Sequence, residues 1–108
     1  MMKYKIHTTH GAHPPVQVAF EEQKYALIGE MLLAERAFLD NIIAALDAVL
    51  KDAAVEANSF SGNAFSMFVT AENTKITNDI NGEETEAPTK DLKKLAKGYK
   101  KQYERIQR

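Results

Sequence analysis

The chain contains neither cysteine nor tryptophan. Without cysteine there is no disulfide framework and no thiolate to act as nucleophile or soft metal ligand, and a reducing compartment suits such a chain. No apolar run approaches the roughly 20 residues that a membrane span requires. The opening MMKYKIHTTH lacks an apolar signal core. A cytoplasmic protein without membrane association is therefore expected. Also missing are a G-x-S-x-G elbow, a phosphate-binding G-x-x-x-x-G-K loop, an H-E-x-x-H zinc helix and a G-x-G-x-x-G turn. An enzyme is not expected on these grounds, nor a cofactor.

What is present is ordinary for a globular chain: 44% hydrophobic and 27% charged residues over 108 positions, enough for one domain spanning 1–108 to bury a core. The net charge of −1 conceals a strong segregation. Residues 1–19 carry +2, residues 20–87 carry −9 and residues 88–108 carry +6. An acidic body with a basic end speaks to partners rather than to fold.

The most strongly patterned stretch is Glu30–Ala54. Leu32, Leu39, Ile42, Ile43, Leu46, Val49 and Leu50 recur at three- and four-residue steps, while Glu35, Arg36, Asp40, Asp47, Lys51 and Asp52 are assigned mostly to the opposite side. One long helix of about 37 Å is expected. Period-two alternation marks strands at Met2–Thr8 and Val16–Phe20, separated by a loop that holds Pro14 and Pro15. Glu21–Gly29 reads either as a turn and a short strand, Tyr25–Ile28, or as the first turns of the long helix. Gly29 favours the hairpin.

Beyond the helix, Ala57–Phe60, Ala64–Thr70 and Lys75–Ile80 form an expected three-stranded meander. Phe65, Met67 and Val69 point to one face and Ser66, Phe68 and Thr70 to the other; Ile76 and Ile80 share a face opposite Lys75, Thr77 and Asp79, and the face that carries Phe68, Thr70, Thr77 and Asp79 is expected to be partly wet and a ready docking surface. Asn81–Glu86 is polar and begins with an Asn-Gly turn. A last helix opens at Thr89, the expected N-cap, with Asp91 in its first turn and an apolar stripe of Leu92, Leu95, Tyr99, Tyr103 and Ile106. The expected fold is α+β: an antiparallel sheet of about four to five strands, with the long central helix and the C-terminal helix packed on one face.

Three patterns invite chemistry. His7, His10 and His13 could ligate a metal, but strand geometry sends residues three apart to opposite faces and no carboxylate lies nearby to orient a ring; no metal site is expected. Glu83, Glu84 and Glu86 fall in a solvated connection, unsuited to acid/base work. Lys93, Lys97, Lys100 and Lys101 on the last helix could grip nucleic acid, with Tyr99 and Tyr103 stacking on bases. The tyrosines share the apolar stripe, however, and the acidic body would repel phosphates, so nucleic acid is the less favoured partner. The acidity has a positive use against a basic protein, because complementary charge accelerates association.

From Val16 onward the order of features resembles the YacL-like group of small bacterial proteins. V-Q-V-A-F precedes E-E-Q and I-G-E-M-L; a helix holds L-D-N-I-I-A-A-L; then come F-S-G-N-A-F-S-M-F-V, a T-K-I strand and T-K-D-L-K-K-L before an aromatic-bearing last helix. The likeness covers about residues 16–104, and where that group often carries Trp in its last helix this chain has Tyr99 or Tyr103. The resemblance implies no catalytic residues. It implies a protein akin to immunity proteins of contact-dependent growth inhibition systems, which bind and occlude a toxin. A basic nuclease domain is the expected partner, and Glu72, Asp79, Glu83, Glu84 and Glu86 are the residues expected to face it.

Overall fold

The computed structural model describes residues 2–9, 11–12 and 14–106. Two antiparallel sheets and three α-helices make an α+β architecture. Strands β1 (Tyr4–Thr8) and β2 (Val16–Phe20) form a hairpin, pairing Tyr4 with Phe20 and Ile6 with Val18. Helix α1 (Ala26–Ala34) follows a 3-10 turn at Gln23–Tyr25, and α2 spans Leu39–Lys51. Strands β3 (Ala57–Ser61), β4 (Phe65–Thr70), β5 (Asn73–Asn78) and β6 (Glu84–Pro88) run in sequential order as a second sheet, and α3 (Thr89–Ile106) closes the fold.

Alternation decides which way the four-stranded sheet faces. Phe60, Phe65, Met67, Val69, Thr74, Ile76 and Ala87 are buried, and the residues between them are not. The buried side packs against α1, α2 and α3. Ile28, Met31 and Leu32 from α1, Ile42 and Leu46 from α2, and Leu92, Leu95 and Ala96 from α3 are fully enclosed there. Helix α1 is apolar almost all round because it touches β5 and β6 as well as β2 of the hairpin. The hairpin also lies along α3. Met2 N–H donates to Asp91 at 2.9 Å, Thr8 approaches Gln102, and Ile6 lies so close to Gly98 that a Cβ there would stand 3.0 Å from its Cδ1. Gly98, a weak helix former, is what admits the strand.

Several expectations are corrected. The hairpin β1–β2 does not join the larger sheet, so the strands divide two and four. Residues 21–29 hold a 3-10 turn and the start of α1, not a strand at Tyr25–Ile28; Tyr25, Leu27 and Ile28 are buried on a helical spacing. The polar stretch 81–86 supplies a strand, since Glu84–Pro88 pairs with β5 through Ile76–Thr85 and Thr74–Ala87. Ile80 lies past the end of β5, not beside Ile76, and is 81% exposed. Thr89 is buried and does not cap the helix: its hydroxyl donates to the Thr70 carbonyl at 2.6 Å and lies 2.9 Å from the Thr74 hydroxyl. With its one proton committed to Thr70, Thr89 must accept from Thr74.

The largest correction concerns the long helix. It breaks at Glu35, between α1 and a 3-10 turn at Arg36–Phe38 that leads into α2. The Glu35 carboxylate is fully buried and accepts three backbone N–H groups from the β3–β4 loop and the first residue of β4: Asn63 at 2.8 Å, Ala64 at 2.9 Å and Phe65 at 2.9 Å. Burial favours the neutral acid, but the three amides from Ala64, Asn63 and Phe65 outweigh it and hold the carboxyl below its usual range. Arg36 covers the open end of α1 by donating to the Leu33 carbonyl at 2.8 Å.

Candidate functional site

The solvent face of the four-stranded sheet carries three cross-strand rows. Ser59, Phe68, Lys75 and Glu86 make the central row and Ser61, Ser66, Thr77 and Glu84 the next, while the pairs Ala57–Thr70 and Asn73–Pro88 flank the β4–β5 turn as the third. Phe68 stands 55% exposed in the central row, bordered by Ser59, Ser66 and Thr70 and facing Lys75 on β5. It and Ile80 are the large hydrophobic residues left exposed among those described. At β6 the face becomes acidic.

The loop geometry behind this face begins at Glu35. By gathering three amides it fixes the β3–β4 loop, and Gly62 makes the close approach possible: a Cβ on Gly62 would lie 2.4 Å from the carboxylate. The same loop orients the far end of the sheet. The Ala64 carbonyl accepts from Asp79 N–H at 2.8 Å, and the Asp79 carboxylate accepts from the Ser66 hydroxyl at 2.8 Å. The β5–β6 turn is self-braced: the Asn78 side chain accepts from Ile80 N–H at 2.9 Å and that of Asn81 from Glu83 N–H at 2.9 Å. Ile80 is thereby held out at one end of the face, with Asp79 and Glu83 on either side of its turn.

Of the five expected toxin-facing acids, the structure brings Asp79, Glu83, Glu84 and Glu86 to one half of the sheet, all exposed. Glu72 is exposed too, but it sits in the β4–β5 turn at the opposite end, roughly 20 Å from Asp79 along β5. The acids are also not all free. Lys75 binds Glu84 at 2.9 Å and lies opposite Glu86. The Glu84 bond raises the Lys75 pKa, and the Lys75 bond lowers that of Glu84. Among the described residues Asp79, Glu83 and Glu86 enter no ion pair, although Lys75 faces Glu86 across the strands.

The lysines of the last helix divide as well. Lys93 binds Asp47 of α2 at 2.5 Å, and Lys100 pairs with Asp40 of α2 and, at 3.6 Å, with Glu104. Lys93 is the leading cause that holds the Asp47 carboxyl low, and Asp40 the leading cause that raises Lys100. These two lysines tie α3 to α2. Lys97 and Lys101 point to solvent. Tyr99 is buried and Tyr103 half-buried, stacked at 6.3 Å between centroids, so neither is presented for base stacking. His7 is exposed on β1, whereas His10 and His13 lie outside the described residues. Among the described residues no group of three or more His, Cys, Asp or Glu could hold a metal, and no helix is long and apolar enough to cross a membrane.

Alternation along β4 placed Phe68 on the solvent face, where it stands, whereas the exposure of Ile80 and the burial of Glu35 were missed. Glu35 left a signal: it falls three residues after Leu32 and four before Leu39, on the apolar stripe itself. No family model, curated protein or solved structure matches this chain.

Proposed function

We propose that this protein is an immunity-type binding protein that occludes a basic toxin domain, a nuclease in the first instance, through the solvent face of its four-stranded sheet. The observation that carries the proposal is the pairing of two exposed apolar side chains, Phe68 and Ile80, with the acids Asp79, Glu83 and Glu86 on that same sheet and its turn. Protein interfaces concentrate their binding energy in aromatic and aliphatic anchors ringed by polar groups. An acidic rim steers a cationic partner and opposes nucleic acid at the same surface. The open edge of β3 extends the face, since among the described residues only β4 pairs with it. The likeness to YacL-like proteins supports the same class of role.

The experiment is growth rescue. The protein encoded by the reading frame beside this chain is induced with and without the chain in a sensitive host. Rescue by the natural chain, lost in Phe68→Asp while that variant remains folded, supports the proposal. Rescue that survives Phe68→Asp together with Glu83→Lys and Glu86→Lys overturns it, as does a neighbouring frame that encodes no toxin.

A further inference from the structure

The two basic ends of the sequence, separated by an acidic body, lie side by side in the fold. Helix α3 runs as a ridge between α2 and the β1–β2 hairpin. Its buried arc holds Leu92, Leu95, Ala96 and Tyr99; the arc toward α2 holds Lys93 and Lys100; the arc toward β1 holds Asp91, Gly98 and Gln102. The remaining, outward arc carries Lys90, Lys94, Lys97, Lys101 and Arg105, all exposed at steps of four, three, four and four residues, so that they share one face. None of the five enters an ion pair among the described residues.

The single acid on that arc, Glu104, is engaged by Lys100, and Asp91 at its border accepts from Met2 N–H. Exposed Lys3, just ahead of β1, continues the patch, since Lys3 and Lys94 line one shallow depression. The neighbouring acids of the body, Asp40 and Asp47, are bound by Lys100 and Lys93. The repulsion foreseen between the acidic body and phosphates therefore does not operate on this face.

We infer that the outward arc of α3 together with Lys3 is a docking face for the phosphate backbone of a double-stranded nucleic acid. Lys90 to Arg105 covers about 22 Å of helix, the rise of roughly six phosphates on one strand of a duplex. Five cations along that length match a backbone track. The face exposes no aromatic ring on α3, so it reads charge and spacing rather than bases. It lies across the core from the sheet face, and different substitutions test the two.

The test is fluorescence anisotropy of the full chain with a labelled 20-base-pair DNA duplex at 50 to 200 mM salt. With about five phosphates engaged, log affinity falls against log salt with a slope near −4.5, about 500-fold over that range. The variant Lys94→Gln/Lys97→Gln/Lys101→Gln, checked for native circular dichroism, loses about 2.7 of that slope, whereas Lys75→Gln on the sheet leaves it unchanged. No binding at 50 mM salt overturns the inference. So does a slope that the triple variant does not alter, tighter binding of the corresponding single strand, or binding to phosphatidylserine vesicles without binding to the duplex. Loss of growth rescue in Phe68→Asp with duplex binding intact would leave this face standing, and the reverse result would leave the sheet face standing.

Discussion

Replacing Glu35 by alanine is the sharpest test of how this fold is held together. The change removes an acceptor shared by Asn63, Ala64 and Phe65 and leaves three amides without a protein partner. A hydrogen bond to a charged group contributes about 1.5–3 kcal/mol net, and an orphaned buried donor costs about 1–3 kcal/mol. Asn63 is exposed, so water can replace part of what is lost there. A net loss of about 3–5 kcal/mol is expected, comparable to breaking a buried charge pair and a large share of the 5–15 kcal/mol that typical domains possess.

Urea melts followed by circular dichroism measure it as a drop in midpoint at unchanged slope. Glu35→Gln is expected to cost about 2 kcal/mol, because its carbonyl oxygen still accepts while its NH2 group confronts a donor. The pH dependence carries a defined sign. The folded carboxyl titrates below its unfolded value of about 4.3, so its contribution is complete above that pH and disappears as pH falls through the folded pKa. Stability of the natural chain below about pH 4.3 should therefore fall more steeply than that of Glu35→Gln. A loss under about 1 kcal/mol for Glu35→Ala, or equal acid sensitivity in the two chains, would refute the role assigned to this carboxylate.

Gly62→Ala drives a methyl into the same carboxylate and is expected to cost about 1–3 kcal/mol in the same melts. Thr89→Val breaks the hydroxyl chain from Thr74 to the Thr70 carbonyl; about 1–3 kcal/mol should be lost, whereas a neutral result would mean that Thr74 finds another partner. Lys93→Met frees Asp47 on the half-exposed α2–α3 seam, with an expected cost of about 1 kcal/mol or less. Part of that seam's stability, present above the unfolded Asp value of about 3.9, is lost as pH falls through the lowered Asp47 pKa, and the variant should lack it. Phe68→Ala should shift stability by less than about 0.5 kcal/mol, as expected of an exposed position; a larger loss would make it a folding residue rather than a binding one.

Period-two alternation made β1, β2 and β4 legible, with the boundaries of β2 matching the expected Val16–Phe20 and the buried side of β4 assigned to Phe65, Met67 and Val69. The α3 stripe was equally plain. What failed had physical causes. Glu84–Pro88 carries only Ala87 as a buried apolar residue, since an edge strand needs a single inward anchor once its backbone pairs with β5. The division into two sheets depends on α1 being apolar on both sides, which no single period reveals. Glu35 was placed outside because carboxylates rarely enter cores unpaired, and its partners are backbone amides 28 to 30 residues away that leave no mark in residue type. At the candidate site, four of five acids fall together because consecutive turn and strand residues must. The free or bound state of each lysine depended on which arc of α3 faced α2.

The proposed function is tested most directly by one titration: calorimetric binding of the purified chain to an inactivated basic nuclease toxin domain, taken from a neighbouring reading frame where one encodes it. A one-to-one complex is expected, weakened about 30-fold or more by Phe68→Ala, equivalent to an anchor of about 2 kcal/mol, and weakened further by salt when Asp79, Glu83 and Glu86 are intact. No heat of binding, or an affinity indifferent to Phe68 and to these three acids, would contradict the assignment of the sheet face as the binding surface.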